Sequence, residues 1–284
     1  MGSMSGGTAA AEAVDGNAIM VSRSIAQAYD RGLRTMAAAT AVGLALGFLL
    51  GGIGSRLAMR ALFLTSDPSV RGLVSDDGFR IGQFNPAATL NLLVVGTVIG
   101  VIGATVYLAV RPFLVGPGWL RWTTCALGAG AVVGSMIVHD DGVDFTVLTP
   151  RWFAIALFAA IPALFGFLAP PAIELATHPD GWFQSASRKV ALAPLLVLLF
   201  PPLLLLVGIP AAAVIGMHHV VHKSPSLDRV VRHPLTMWTV RAGWLAVGVL
   251  GAAFLARDVV ALFCSSISNS LASGRDPPPT RRGA

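Results

Sequence analysis

The residues best placed to do chemistry are two arginines and five aspartates. Arg56 and Arg60 stand four positions apart, so on a helix they share one face. Asp76 and Asp77, and then Asp140, Asp141 and Asp144, fall in two segments that the topology below puts on the same side as these arginines. Guanidinium groups facing several carboxylates predict a site for an anion or a divalent ion. The competing reading is a structural ion-pair network, because charges at membrane depth are usually paired. A second set is histidine: His139, His218, His219, His222 and His233. His218 and His222 can reach one metal from a single helix face. The zinc-enzyme signature also needs a glutamate between them, and Val220-Val221 stand there instead. With Asp140 beside it, His139 joins His218 and His222 as a candidate transition-metal ligand, against the plainer reading of solvated interfacial histidines.

A third set is Pro201, Pro202 and Arg241, candidates for a transport path. Proline removes a backbone donor and clashes with the preceding turn. Transporters place such broken helices at their binding sites, although a simple kink has the same sequence signature. Between Arg241 and Arg257 lie only fifteen residues, fewer than the roughly 20 a span needs. One of the two must enter the apolar zone or snorkel out of it, with Asp258 adjoining Arg257. No catalytic residue is assigned: the chain carries no Walker motif, no nucleophile elbow and no Cys-x-x-Cys.

The elements that must position these groups are apolar runs. Only 12% of residues are charged and 55% are hydrophobic, with a mean hydropathy of +0.73. A soluble domain carries about 25% charged residues. Six runs approach the length of a span: 35–55, 87–110, 122–138, 152–173, 190–217 and, interrupted by Arg241 and Arg257, 235–263. The third is at the short limit, and the fifth is so long that it must tilt, bend or break. The expected architecture is an all-α integral membrane protein, a six-helix bundle over residues 33–264. It is preceded by a disordered or amphipathic segment, 1–32, and followed by a basic Pro-rich tail, 265–284. Arg23, Arg31 and Arg34 are expected to face lipid headgroups from the amphipathic part.

The net charge of +6 does not point to nucleic acid, since no basic stripe with interleaved aromatics is present. Lys and Arg of this kind anchor orientation. With the N-terminus inside, eleven basic residues fall on the inner side and nine on the outer, which favours a bacterial inner-membrane type with both termini cytoplasmic. Cys125 and Cys264 give no disulfide framework.

Small residues recur at helical spacing: Gly43, Gly47, Gly51 and Ser55; Gly96, Gly100 and Ala104; Ala126, Gly130 and Gly134. Such faces let backbones approach in lipid, and they predict that the first three helices pack together. They also offer a surface for a second copy of the chain. An internal repeat is visible in the loops. DDGFRIGQFNP, residues 76–86, aligns without a gap to DDGVDFTVLTP, residues 140–150. Asn85-Pro86 and Thr149-Pro150 both read as an N-cap followed by proline at the first helical position. Helices one and two, and three and four, are therefore read as copies of one hairpin, with five and six a diverged third. Alternating apolar residues in both loops predict a short two-stranded ribbon.

Residues 54–170 resemble a group of uncharacterised actinobacterial multi-pass membrane proteins. The likeness rests on Ser55-Arg56-Leu57-Ala58-Met59-Arg60, the Asp-Asp-Gly loop, Thr89-Leu90-Asn91 and Gly142-Val143-Asp144-Phe145. It implies a membrane-embedded helical chain and brings no activity with it.

The leading expectation is a non-enzymatic membrane protein whose outer Asp/Arg/His surface binds an ion, a small ligand or a protein partner. A transporter or channel built on a broken fifth helix is the alternative, and a membrane metalloenzyme the third. A divalent metal is the one cofactor considered, and the lipid bilayer the one sure partner.

Overall fold

The computed structural model describes residues 26–27, 29–70, 72–73, 85–138, 149–209, 211 and 233–273, with side chains as far as 264. Among these residues every regular element is helical. A chain this apolar must satisfy its backbone within each segment, and a helix does that.

Helix α1 runs Tyr29–Thr65 and contains a π-helical stretch, Gly47–Gly54. Helix α2, Pro86–Val110, continues into a 3-10 turn, Arg111–Phe113. Helices α3, Gly118–Ile137, and α4, Arg151–Ala176, follow. A short α5, Trp182–Ser185, leads to α6, Arg188–Leu199, and α7, Pro201–Gly208, which meet at 96°. The last helix, α8, is Pro234–Ser273. Four helices are long and apolar enough to cross a membrane: α1, α2 with its turn, α4 and the Pro234–Cys264 part of α8. The count rises to five if the bent α6–α7 pair is one span. Helix α3, where the third span was expected, is less apolar, with Arg121, Thr123 and Thr124 in its first turns.

Glycine brings α1 and α2 into backbone contact. A Cβ on Gly47 would lie 2.6 Å from the Gly96 carbonyl oxygen, and one on Gly43 would lie 2.7 Å from that of Gly100. The π stretch adds something the four-residue spacing did not foresee. Its wider turn presents two consecutive glycines to α2, Gly51 against Gly96 and Gly52 against Leu93. Helices α3 and α4 pack by the same device, with Gly166 against the Cys125 carbonyl and Gly130 against Ala163. The expectation that the first three helices share one small-residue interface is therefore corrected. The stripe on α3 serves α4 and α8, because Gly134 meets Ala159 and Leu255. Helix α4 is unbroken despite Pro162, Pro170 and Pro171.

The fifth run breaks where its prolines fall. Phe200 leaves helical geometry at φ −60°, ψ 125°, and Pro201 and Pro202 have no N–H to bond to the Leu198 carbonyl. Beyond the break, Leu203 and Val207 join Leu198 and Val101 in one buried cluster, flanked by Val98 and Ile102. Those α2 residues lie at mid-length of that helix.

Helix α8 lies along α3, and its contacts advance in the same chain direction. Arg241 Nε donates to the Phe113 carbonyl, 3.2 Å away, just before α3 begins. Gly251 then meets Val132, and Leu255 approaches Gly134. Arg257 and Asp258 share a cleft with Ser135 and Met136. Leu262 is buried with Val138, past the end of α3.

Candidate functional site

The bundle has two polar ends. One, called here the loop end, holds the termini of α1 and α3 and the starts of α2 and α4. Both Asp-Asp-Gly segments leave and return at this end. Asp76, Asp77, Asp140, Asp141, Asp144 and His139 lie outside the described residues, as do His218 and His222 and the ribbon expected of the loops. Their roots, however, are described. The Ser66 hydroxyl donates to the Thr149 carbonyl at 3.2 Å and accepts from the Thr149 N–H at 3.0 Å. The exit of the first loop is thus tied to the return of the second.

Asn85 caps α2 as its sequence predicts: its Oδ1 accepts from the N–H of Ala87 at 2.9 Å and of Ala88 at 3.3 Å. Thr149 does not repeat this. Helix α4 begins one residue later, with Pro150 in the capping position, and the Thr149 backbone is engaged by Ser66.

Arg56 and Arg60 do not act as a pair. Arg56 Nη2 donates to the Thr89 hydroxyl at 2.6 Å and to the Asn85 carbonyl at 3.3 Å, while its Nε is buried with no partner among the described residues. Arg60 is exposed and lies over the Phe63 ring, 5.2 Å from its centroid. The first arginine anchors the start of α2, and the second lies exposed on the α1 surface.

Beside them, the end of α8 supplies groups that sequence reasoning noticed only in passing. Arg151 Nη1 donates to the Leu262 carbonyl at 3.1 Å. Asp258 is only 4% exposed. Its Oδ1 takes both Nε and Nη2 of Arg257 at 2.9 Å, and the arginine itself reaches outward. The two line a cleft of about 390 Å³ with Ser135, Met136 and Phe254. A buried carboxylate next to an arginine was legible as a dipeptide. Its proximity to Ser135 carries no sequence signal, because α3 and α8 are separated by a hundred residues.

The opposite, basic end is built from ion pairs and hydrogen bonds between helices. Arg34 was expected to face headgroups. Instead it donates Nε to Asp30 Oδ2 at 2.8 Å, and its Nη1 is shared among the carbonyls of Phe183, Gln184 and Ala186 at 2.9, 3.2 and 3.0 Å. The second Asp30 oxygen meets Arg188 at 3.1 Å. Nearby, the buried Tyr107 donates its hydroxyl to Glu174 at 2.9 Å, and Arg121 approaches the same carboxylate oxygen at 3.6 Å. These are latches between helices, although Arg121 Nε and Trp122 Nε1 are buried with no partner among the described residues.

Pro201 and Pro202 are both exposed on the flank of the bundle, alongside Leu199, Phe200, Leu204 and Leu205. Arg241, the third transport-path candidate, is anchored to Phe113 and stacks on Trp238 at 5.3 Å, far from the prolines in the chain and at the margin of the bundle. The structure does not bring these three together. Among the described residues no three His, Cys, Asp or Glu side chains are placed to hold a metal.

No protein-family model, no curated protein and no solved structure matches this chain.

Proposed function

We propose that this is a non-enzymatic integral membrane protein that binds a divalent cation or small ligand at its loop end. It is built on two copies of one helical hairpin with the N-terminus cytoplasmic. One observation carries the reading: the reciprocal Ser66–Thr149 hydrogen bonds, which join the roots of both Asp-Asp-Gly loops at one point. The five aspartates of these two segments are hard oxygen ligands of the kind that suits Ca²⁺ or Mn²⁺. The shared small-residue packing of α1 on α2 and of α3 on α4 supports the duplication. The basic residues at the α2–α3 turn, Arg111 and Arg121, and at the start of α6, Arg188 and Lys189, support the orientation.

Calorimetry of Ca²⁺ or Mn²⁺ binding to the purified protein in detergent tests this. Saturable binding should be lost when Asp76 and Asp77 are both changed to Asn, and lost equally with Asp140→Asn and Asp141→Asn, since both loops build the site. Binding that survives either pair, or no saturable binding by the native chain, would overturn it. The transport reading has less support. Its central prolines face outward, whereas a substrate path at membrane depth needs irregular backbone enclosed by protein or lining water.

A further inference from the structure

The six apolar runs imply six crossings, which would return the C-terminus to the side of the N-terminus. From the course of α6, α7 and α8 we infer instead five crossings, by α1, α2, α4, α8 and the less apolar 20-residue α3 that joins the basic end to the loop end, and one re-entrant segment. The stretch Arg188–Gly208 enters from the basic end and turns aside at Pro201-Pro202 near mid-depth, the chain is back at the basic end where α8 begins, and the C-terminal tail emerges at the loop end.

Three observations converge on this. The first is where the segment starts and how far it reaches. Arg188 is ion-paired to Asp30 at the basic end. Helix α6 has 12 residues, α-helical over Arg188–Leu192 and 3-10 over Ala193–Leu199, and rises about 22 Å against a hydrocarbon core of about 30 Å. Its far end packs at Val98, Val101 and Ile102, the middle of α2, and the chain then turns through 96°.

The second is the direction of α8. Its contacts with the α3 segment climb in order, 241 with 113, 251 with 132, 255 with 134, 257 and 258 with 135 and 136, and 262 with 138. A sixth crossing after a fifth would have to descend α3 in reverse. The stretch from Arg241 to Leu262 rises about 32 Å, one membrane thickness. Arg241 thus marks the basic end and Leu262 the loop end, where it is buried with Leu62 and Ala154.

The third is tryptophan, which prefers the headgroup level. With α8 in this direction, Trp119, Trp122, Trp182 and Trp238 all gather at the basic end, one belt on three separate elements, α3, α5 and α8.

Charge counting cannot separate the two topologies. The six-span arrangement puts Arg257, Arg275, Arg281 and Arg282 inside, while the re-entrant one exchanges them for Lys223, Arg229, Arg232 and Arg241. Four replace four, and the split stays eleven to nine.

Labelling with a membrane-impermeant maleimide tests the inference in intact cells. The full-length chain carries Cys125→Ala and Cys264→Ser, and one cysteine at a time is introduced by Leu73→Cys, Val115→Cys or His233→Cys, or appended after Ala284. His233 should label with Val115, and the appended cysteine should label with Leu73 from the opposite face. Labelling of His233 with Leu73 and of the tail with Val115 would restore six crossings, and any other pairing also overturns the proposal. If the cysteine-free background does not fold, epitope tags on the two ends of the native chain decide. Tags on opposite faces uphold the proposal, and tags on one face refute it.

Discussion

The α1–α2 hairpin and the α6–α7 segment are both apolar and similar in hydropathy, yet one is gripped and the other is leaned against its neighbour. Between α1 and α2 the backbones touch, because Gly43, Gly47, Gly96 and Gly100 carry nothing that would hold them apart. In α6–α7, Leu198, Leu203 and Val207 are buried on α2, while Leu196, Leu199, Leu205 and Leu206 point away, each at least 60% exposed. Lipid tails are as apolar as leucine, so leucine burial gives little preference for protein over bilayer. Close approach of small residues does give one. Hydropathy tells where a helix can live, and small residues tell which neighbour it keeps.

The sharpest way to break this contrast is to thicken a glycine contact. Gly47→Leu must displace the Gly96 carbonyl, and overpacking of this kind should cost about 3 kcal/mol or more. Thermal unfolding in detergent should show a large loss, and Gly166→Leu should match it in the α3–α4 pair, where Cys125 is the obstacle. Equal stability in either variant would mean that the interfaces are not the zippers described. An intermediate effect is expected for Arg34→Ala, which removes the latch that holds the α5 turn to α1. Lost charge-assisted hydrogen bonds predict about 2 kcal/mol, read most directly as faster tryptic cleavage after Arg188 or Lys189. The smallest effect belongs to Leu205→Ala on the exposed flank of α7, within about 0.5 kcal/mol. A loss as large as that of Gly47→Leu would show this face to be covered by protein rather than lipid.

Much of the scaffold was legible because lipid imposes blunt rules. Uncharged runs located the long helices, the Asn85-Pro86 pair located the start of α2, and Pro201-Pro202 located the bend. What escaped was relational. The glycine stripe on α3 is as clear as that on α1, yet nothing in its spacing says that Ala159 and Ala163 are its partners. Arg34 reads as one more interfacial arginine, because its acceptors are backbone carbonyls, which every residue has. The direction of α8 was hidden by a coincidence of charge, four basic residues on one side of the ledger matching four on the other. The candidate site was legible as composition, through its Asp-Asp-Gly signatures. The Ser66–Thr149 contact that joins the two loops uses residue types too common to be noticed.

The Arg34 latch also says something about time. Its carbonyl acceptors lie 149 to 152 residues further along the chain. At a synthesis rate of about 5–20 residues per second, α1 is made roughly 7–30 seconds before those carbonyls exist. Until then Asp30, one turn away, is the partner already at hand for that guanidinium. The ion pair within α1 can therefore serve as a temporary cover during biogenesis, keeping the first helix insertable while the partners of its basic end are still being translated.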